Sequence, residues 1–149
     1  MAKIESDEIK LEIRIAEMET LTFEMPRTDL HPSPTQVNFT VSINHNVDVS
    51  RKAMSVVVST LLHGATQAER LAFLELKITY QFSDVSQVFI PNRQNNTLEM
   101  NAQLMLMIYS TSLSTTRGVL YTLLKDSPLE KIYLPIIDSA QFLPAMPKL

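Results

Sequence analysis

The chain has 149 residues, 45% of them hydrophobic and 19% charged, and a formal net charge of −3. That is the balance of a chain folding around one core, not of a disordered segment. The absence of cysteine excludes disulfides, thiol nucleophiles and thiolate metal sites, and two glycines, Gly64 and Gly118, leave nothing for a phosphate-cradling loop. No apolar run approaches the roughly 20 residues that cross a bilayer. The polar, acidic start from Met1 to Glu8 has no apolar signal-peptide core, so residues 1–8 are expected to be flexible and the chain cytoplasmic.

From Ile9 the apolar residues alternate with charged ones: Ile9, Leu11, Ile13 and Ile15 against Glu8, Lys10, Glu12 and Arg14. Period two predicts a strand with one buried face. The pattern stumbles at Glu17-Met18-Glu19 and resumes at Leu21, Phe23 and Met25, as a bulge or bend in one long strand would make it. Pro26 ends the run, and the stretch Arg27 to Thr35, with Pro32 and Pro34, predicts an exposed connection.

The next strand is the clearest, with Val37, Phe39, Val41, Ile43, Val47 and Val49 on one face and only His45 interrupting the row. Met54 to Leu62 is apolar on both parities, which predicts cover on both sides. Ala72, Leu74, Leu76, Ile78, Tyr80 and Phe82 then alternate against Glu75, Lys77, Thr79 and Gln81. The links around Ser50-Arg51 and Gly64 to Gln67 are too short for parallel crossovers, so an antiparallel meander is expected.

After Pro91 the period changes. Asn96 or Thr97 can cap a helix, with Glu99 reaching back when Asn96 is the cap. Leu98, Ala102, Met105, Tyr109, Leu113, Leu120 and Leu124 recur at helical spacing to about Lys125. Six of the seven residues from Ser110 to Thr116 are Ser or Thr, which predicts an irregularity or a close packing seam. Asp138 and Gln141 mark the start of a short second helix from Ser139 to about Ala145. The fold class is α+β.

The chemistry-bearing residues do not assemble into a catalytic pattern. His31, His45 and His63 stand alone, so no metal site is expected, and His45 on an apolar row is expected to be a hydrogen-bonded core histidine. No serine lies in a Gly-x-Ser-x-Gly elbow. A pI of 5.6 with scattered basic residues argues against a nucleic-acid face. Met100, Met105 and Met107 form an adaptable apolar group whose simplest role is core filling. No enzyme and no cofactor are expected.

Several segments, in order, resemble the SecB protein-export chaperones and their SecB-like relatives. They are Leu21-Thr22-Phe23-Glu24-Met25-Pro26, Ala72-Phe73-Leu74-Glu75-Leu76, Ser114-Thr115-Thr116-Arg117-Gly118 and the tail from Tyr133 to Phe142. The resemblance runs from about Ile9 to Leu143. It implies one SecB-like domain over residues 1–149, with a four-stranded antiparallel sheet, a long helix and a short C-terminal helix. It also implies a homotetramer, a dimer of dimers, acting as an ATP-independent holdase that keeps unfolded polypeptides in apolar grooves. Weak apolar contacts and edge-strand hydrogen bonds suit such capture, and several grooves add avidity. The groove candidates are Phe23, Phe82, Phe89, Met105, Tyr109 and Phe142, with core packing as the competing role of each.

Acidic residues on the sheet dock the SecA motor in the export members. Glu24 matches one of them; Thr20 and Leu76 stand at two others, with Glu19 and Glu75 adjoining. The acidic tail of those members is missing, since this chain ends Met146-Pro147-Lys148-Leu149. A SecB-like protein dedicated to one partner, such as an antitoxin, therefore competes with the export role. A non-enzymatic assembly module of phage or bacterial origin is the third reading.

Overall fold

The computed structural model describes residues 11–26, 31–94 and 97–143. Four long strands form one antiparallel sheet: β1 (Ile13–Glu24), β2 (Asn38–Asp48), β3 (Ala53–His63) and β4 (Arg70–Phe82). A small hairpin of β5 (Phe89–Asn92) and β6 (Thr97–Met100) follows, then the helix α1 (Ala102–Leu124) and a short 3-10 turn, Ser139–Phe142.

The strand order is β1-β4-β3-β2. Only β2, β3 and β4 form the expected meander; β1 joins β4 and lies at the edge opposite β2. The connection after β1 must therefore cross the width of the sheet, about 14 Å for three strand spacings. That span suits the Pro-rich segment, whose Pro34–Gln36 turn is fixed by Ser33 and Gln36 in a reciprocal cap.

The β2–β3 ladder runs without a break from Asn38↔His63 to Asp48↔Ala53. Its inner parity, Phe39, Val41, Ile43 and Val47, meets Leu62, Thr60, Val58 and Met54. On β3 that face is fully buried, while Ser55, Val57, Ser59 and Leu61 on the other are half-buried. The second covering layer expected for a strand apolar on both parities is absent among the described residues. Serines at alternate outer positions are consistent with a face left uncovered.

The stumble in β1 is two bulges, between Ile15 and Glu17 and between Thr20 and Thr22. Each inserts one residue and so reverses which sequence parity points outward. As a result Arg14, Glu17, Glu19, Thr22 and Glu24 all share the outer face, opposite Gln81, Thr79, Lys77, Glu75 and Phe73. Ile13, Ile15, Met18, Thr20 and Phe23 share the inner one.

Helix α1 packs on β3 and β4 through Met105, Ile108, Tyr109, Ser112, Leu113, Thr116, Leu120 and Leu124, a stripe at three- and four-residue spacing. One core cluster joins its first half to Met54, Val56, Val58, Leu76, Ile78, Tyr80, Phe82 and Phe89. A second joins its last turns to Leu62, Ala72, Leu74, Leu129, Ile132 and Leu134.

The helix begins later than its sequence periodicity suggests. Thr97–Met100 is a strand, and Asn101 is the cap, accepting from the Gln103 amide at 2.9 Å. Glu99 accepts a 2.7 Å bond from Asn92 across the hairpin instead of closing a capping box, and Asn96 lies outside the described residues. The hairpin was missed because strands of four residues carry too little periodicity to read. The C-terminal turn is 3-10, and the expected stretch to Ala145 leaves the described residues after Leu143.

Candidate functional site

The Ser/Thr run in α1 makes a packing seam without breaking the helix. Ser112, Thr115 and Thr116 each donate to the carbonyl four residues back at 2.7 Å, satisfying hydroxyls in place. Tyr80 on β4 donates to Ser112 Oγ at 2.7 Å, so the sheet and helix share a polar contact inside the core. Burial holds the hydroxyls of Tyr80 and Tyr109 above the usual phenol range. Thr60, facing the helix from β3, is fully buried and its hydroxyl has no hydrogen-bond partner among the described residues.

Arg117, the arginine of the small-residue motif, donates from Nε to Leu134 O at 2.9 Å and from Nη2 to Pro135 O at 3.0 Å. It fastens the segment after α1 onto the helix. Ser110 and Ser139 add a 2.8 Å hydroxyl contact to the C-terminal turn.

The aromatic groove candidates divide by burial. Phe82, Phe89, Met105 and Tyr109 lie in the first core cluster, with Phe82 and Phe89 edge to face at 6.0 Å. Phe142 packs half-buried on that cluster, whereas Phe23 packs half-buried on the second. Four of the six thus fill the core of this chain, the competing role each carried. The apolar side chains on the surface are others: Ile15, Met18 and Leu21 on β1, Val49 after β2, Ile90 on β5, and Met107 and Tyr121 on α1. Tyr133 stacks on Tyr121 at 6.2 Å, and Ile136, in the segment that follows Tyr133, is 93% exposed. A helical wheel drawn for the whole stripe from Met105 to Leu124 puts Met107 and Tyr121 on its far side and could have found two of them.

The two edges of the sheet differ. β1 is bulged twice and charged along its length, both devices that discourage strand pairing. β2 is regular, has no neighbouring strand on its far side among the described residues, and carries no charge before Asp48. His45, in the middle of β2, is exposed because the strand is an edge; its Nδ1 still bonds Tyr109 Oη at 2.8 Å, so it is hydrogen-bonded but not a core histidine. At the far end of β2 an apolar depression of about 170 Å³ is lined by Val49, Val85, Ser86 and Phe89.

The sheet register puts Glu19, Glu24 and Glu75 on the same outer face, with Glu75 across from Thr22, which lies between the two glutamates of β1. Glu75 is half-buried and accepts bonds from Thr22 at 3.0 Å and Ser59 at 3.4 Å. Glu19 stands across the ladder from Lys77, and Thr20 points inward opposite Leu76. His31 is exposed. His63 is buried and held on both nitrogens at 2.9 Å by Thr40 and the Gly64 carbonyl. Among the described residues no three His, Asp or Glu side chains converge as metal ligands, and no helix is long and apolar enough to cross a membrane.

No family model and no curated protein matches the chain. Among solved structures it is similar to the SecB-like chaperone of Mycobacterium tuberculosis in complex with a ChAD peptide from the HigA1 antitoxin. The TM-score is 0.50 at 17% identity, over 84% of this chain and 90% of that one. The α+β arrangement of a four-stranded antiparallel sheet, one long helix and a short C-terminal turn is that of a SecB-like fold.

Proposed function

We propose that this chain is a SecB-like chaperone: a non-enzymatic, ATP-independent holdase that binds non-native polypeptide segments in the cytoplasm. The observation that carries the reading is the fold likeness to a SecB-like chaperone solved with a peptide bound. The exposed apolar side chains support it. Residues such as Ile136, Tyr133 and Ile90 remain uncovered on a chain whose core is otherwise closed.

Service to one dedicated partner is favoured over export. The similar chaperone holds an antitoxin peptide. The acidic outer face is also poorly suited to docking a motor such as SecA: Glu75 is engaged by Thr22 and Ser59, and Lys77 interrupts the acidic group. A homotetramer built as a dimer of dimers needs two separate contact surfaces. The uncovered apolar residues of β1 and those on the outward side of α1 supply two candidates.

The test is suppression of aggregation of chemically unfolded proteins by the purified chain, with SecA binding measured alongside and mass determined by light scattering. Suppression without SecA binding supports the dedicated-partner reading. Failure to hold any unfolded protein, or a stable monomer that suppresses nothing, overturns the chaperone reading.

A further inference from the structure

We infer that the hydrogen bond between His45 and Tyr109 is a pH-sensitive latch. It holds the edge strand β2 to the helix while the imidazole is neutral and releases it when the ring takes up a proton. The inference concerns the free chain and stands whether or not the chain binds polypeptides.

Helix α1 packs on β3 and β4 and reaches β2 through one polar contact. Among the described residues, the 2.8 Å approach of His45 Nδ1 to Tyr109 Oη is the only side-chain hydrogen bond between β2 and α1. Its two ends lie in different surroundings. Tyr109 is 2% exposed, whereas His45 is exposed because its strand is an edge. One partner therefore meets protons from solvent, while the other has no water at hand to replace a lost bond.

Counting donors assigns the tautomer. The Tyr109 hydroxyl keeps its proton and has no other acceptor among the described residues. It is satisfied only if Nδ1 is the bare nitrogen and accepts, which puts the ring proton on Nε2. A second proton, on Nδ1, turns that acceptor into a donor. The phenol oxygen can then accept from the ring, but its own O–H is left buried without a partner, and that costs more than the bond contributes.

No neighbouring charge offsets the change. The inner-face residues beside His45 on β2 are Ile43 and Val47, and its partner on β3 is Val56. Tyr109 is the only titratable side chain of α1 before Arg117. Asp48 lies on the opposite parity and is engaged by Ser50 and Arg51. In the C-terminal turn, Asp138 caps the Ala140 amide. The other histidine that touches β2 is His63, through Thr40 Oγ1. A hydroxyl can accept where it had donated, so that contact survives protonation and the His45 contact does not.

The experiment measures amide hydrogen exchange of the full chain by NMR at pH ~7.5 and pH ~5, each corrected for the intrinsic rate so that protection is compared. Histidine in water takes up its proton near pH ~6.5, inside that interval, whereas carboxylates ordinarily titrate below it. Protection of the amides near His45 that join β2 to β3 should fall by about tenfold at the lower pH, while amides from Leu74 to Ile78 in β4 keep theirs. His45→Asn puts an amide oxygen where Nδ1 stood, and its protection should change by less than about twofold between the two conditions. Tyr109→Phe removes the bond at either pH, so the same amides should stay at the low, acid level throughout. The nitrogen shifts of the imidazole should place its proton on Nε2 at the higher pH. A proton on Nδ1 there overturns the inference, as does unchanged protection in the parent chain. An equal fall in His45→Asn or in Tyr109→Phe also overturns it, because the response then belongs to His63 or to a general loosening of the sheet.

Discussion

Tyr80 on β4 and Ser112 on α1 are joined by a hydroxyl–hydroxyl hydrogen bond of 2.7 Å inside the core. Ser112 passes its own proton to the Ile108 carbonyl, also at 2.7 Å, so the strand is linked to the helix backbone through one side chain. Tyr80→Phe removes the tyrosine donor but leaves Ser112 satisfied through Ile108. The cost should therefore be that of one net hydrogen bond, about 1 kcal/mol. Ser112→Ala strands the buried Tyr80 hydroxyl, leaving it the longer, 3.4 Å approach to the Ile108 carbonyl, and should cost more, about 1–3 kcal/mol. Urea midpoints of the two variants decide the order; equal losses would show that the bond is not transmitted as described.

The same burial gives stability an alkaline limit. Tyr80 and Tyr109 are desolvated, which holds their hydroxyls protonated above the ordinary phenol value. In the unfolded chain both lose their protons near pH ~10. Above that pH the folded state binds more protons than the unfolded one, so stability falls as pH rises. The contribution is complete below pH ~10 and disappears as pH climbs through the folded values. Urea unfolding between neutral pH and pH 11 should show a flat region followed by a decline. In the Tyr80→Phe, Tyr109→Phe double variant that decline should be shallower.

Thr60 offers a change in the other direction. Its side chain is fully buried on the helix face of β3 and its hydroxyl is unpartnered among the described residues. Thr60→Val keeps the β-branched shape and replaces the polar atom with a methyl group. Removing an unsatisfied buried hydroxyl should raise stability by about 1 kcal/mol. A rise in the urea midpoint at unchanged slope is the expected result; a fall would mean that the hydroxyl has a partner in solution.

What could be read in the sequence divides along physical lines. Period-two runs such as Val37 to Val49 and Ala72 to Phe82 placed strands correctly, because one of their faces must leave water. The pairing of β1 with β4 was not legible. Strand order depends on contacts far apart in the chain, and a connection rich in proline reaches either neighbour equally well. Burial of individual aromatics was no clearer: Phe82 and Phe23 both alternate with polar residues. Only the position of α1 over β3 and β4 buries the first and leaves the second half open. Asn101 was passed over as a cap because Asn96 and Glu99 matched a capping box that the hairpin took apart.

The bulges of β1 yield a prediction about the chain's own length. Ala16 is the inserted residue at the first bulge, and its side chain is exposed. Its deletion lets Ile15 and Glu17 continue in strict alternation, with Ile13, Ile15 and Met18 still inward and Glu17 and Glu19 still outward. The variant should fold with a stability change within about 1 kcal/mol, since surface changes away from the core are usually small. Straightening the edge also removes one of its two defences against strand pairing, so the variant should aggregate at lower concentration than the parent. Lys77 on β4 is a control with the opposite outcome. It lies in ladders that are regular on both sides, and its deletion would turn either Leu76 or Ile78 outward along with everything beyond it. Circular dichroism and light scattering on the two deletions distinguish the cases. If the Ala16 deletion unfolds the chain as thoroughly as the Lys77 deletion, the bulge is a required bend of the sheet and not an added residue.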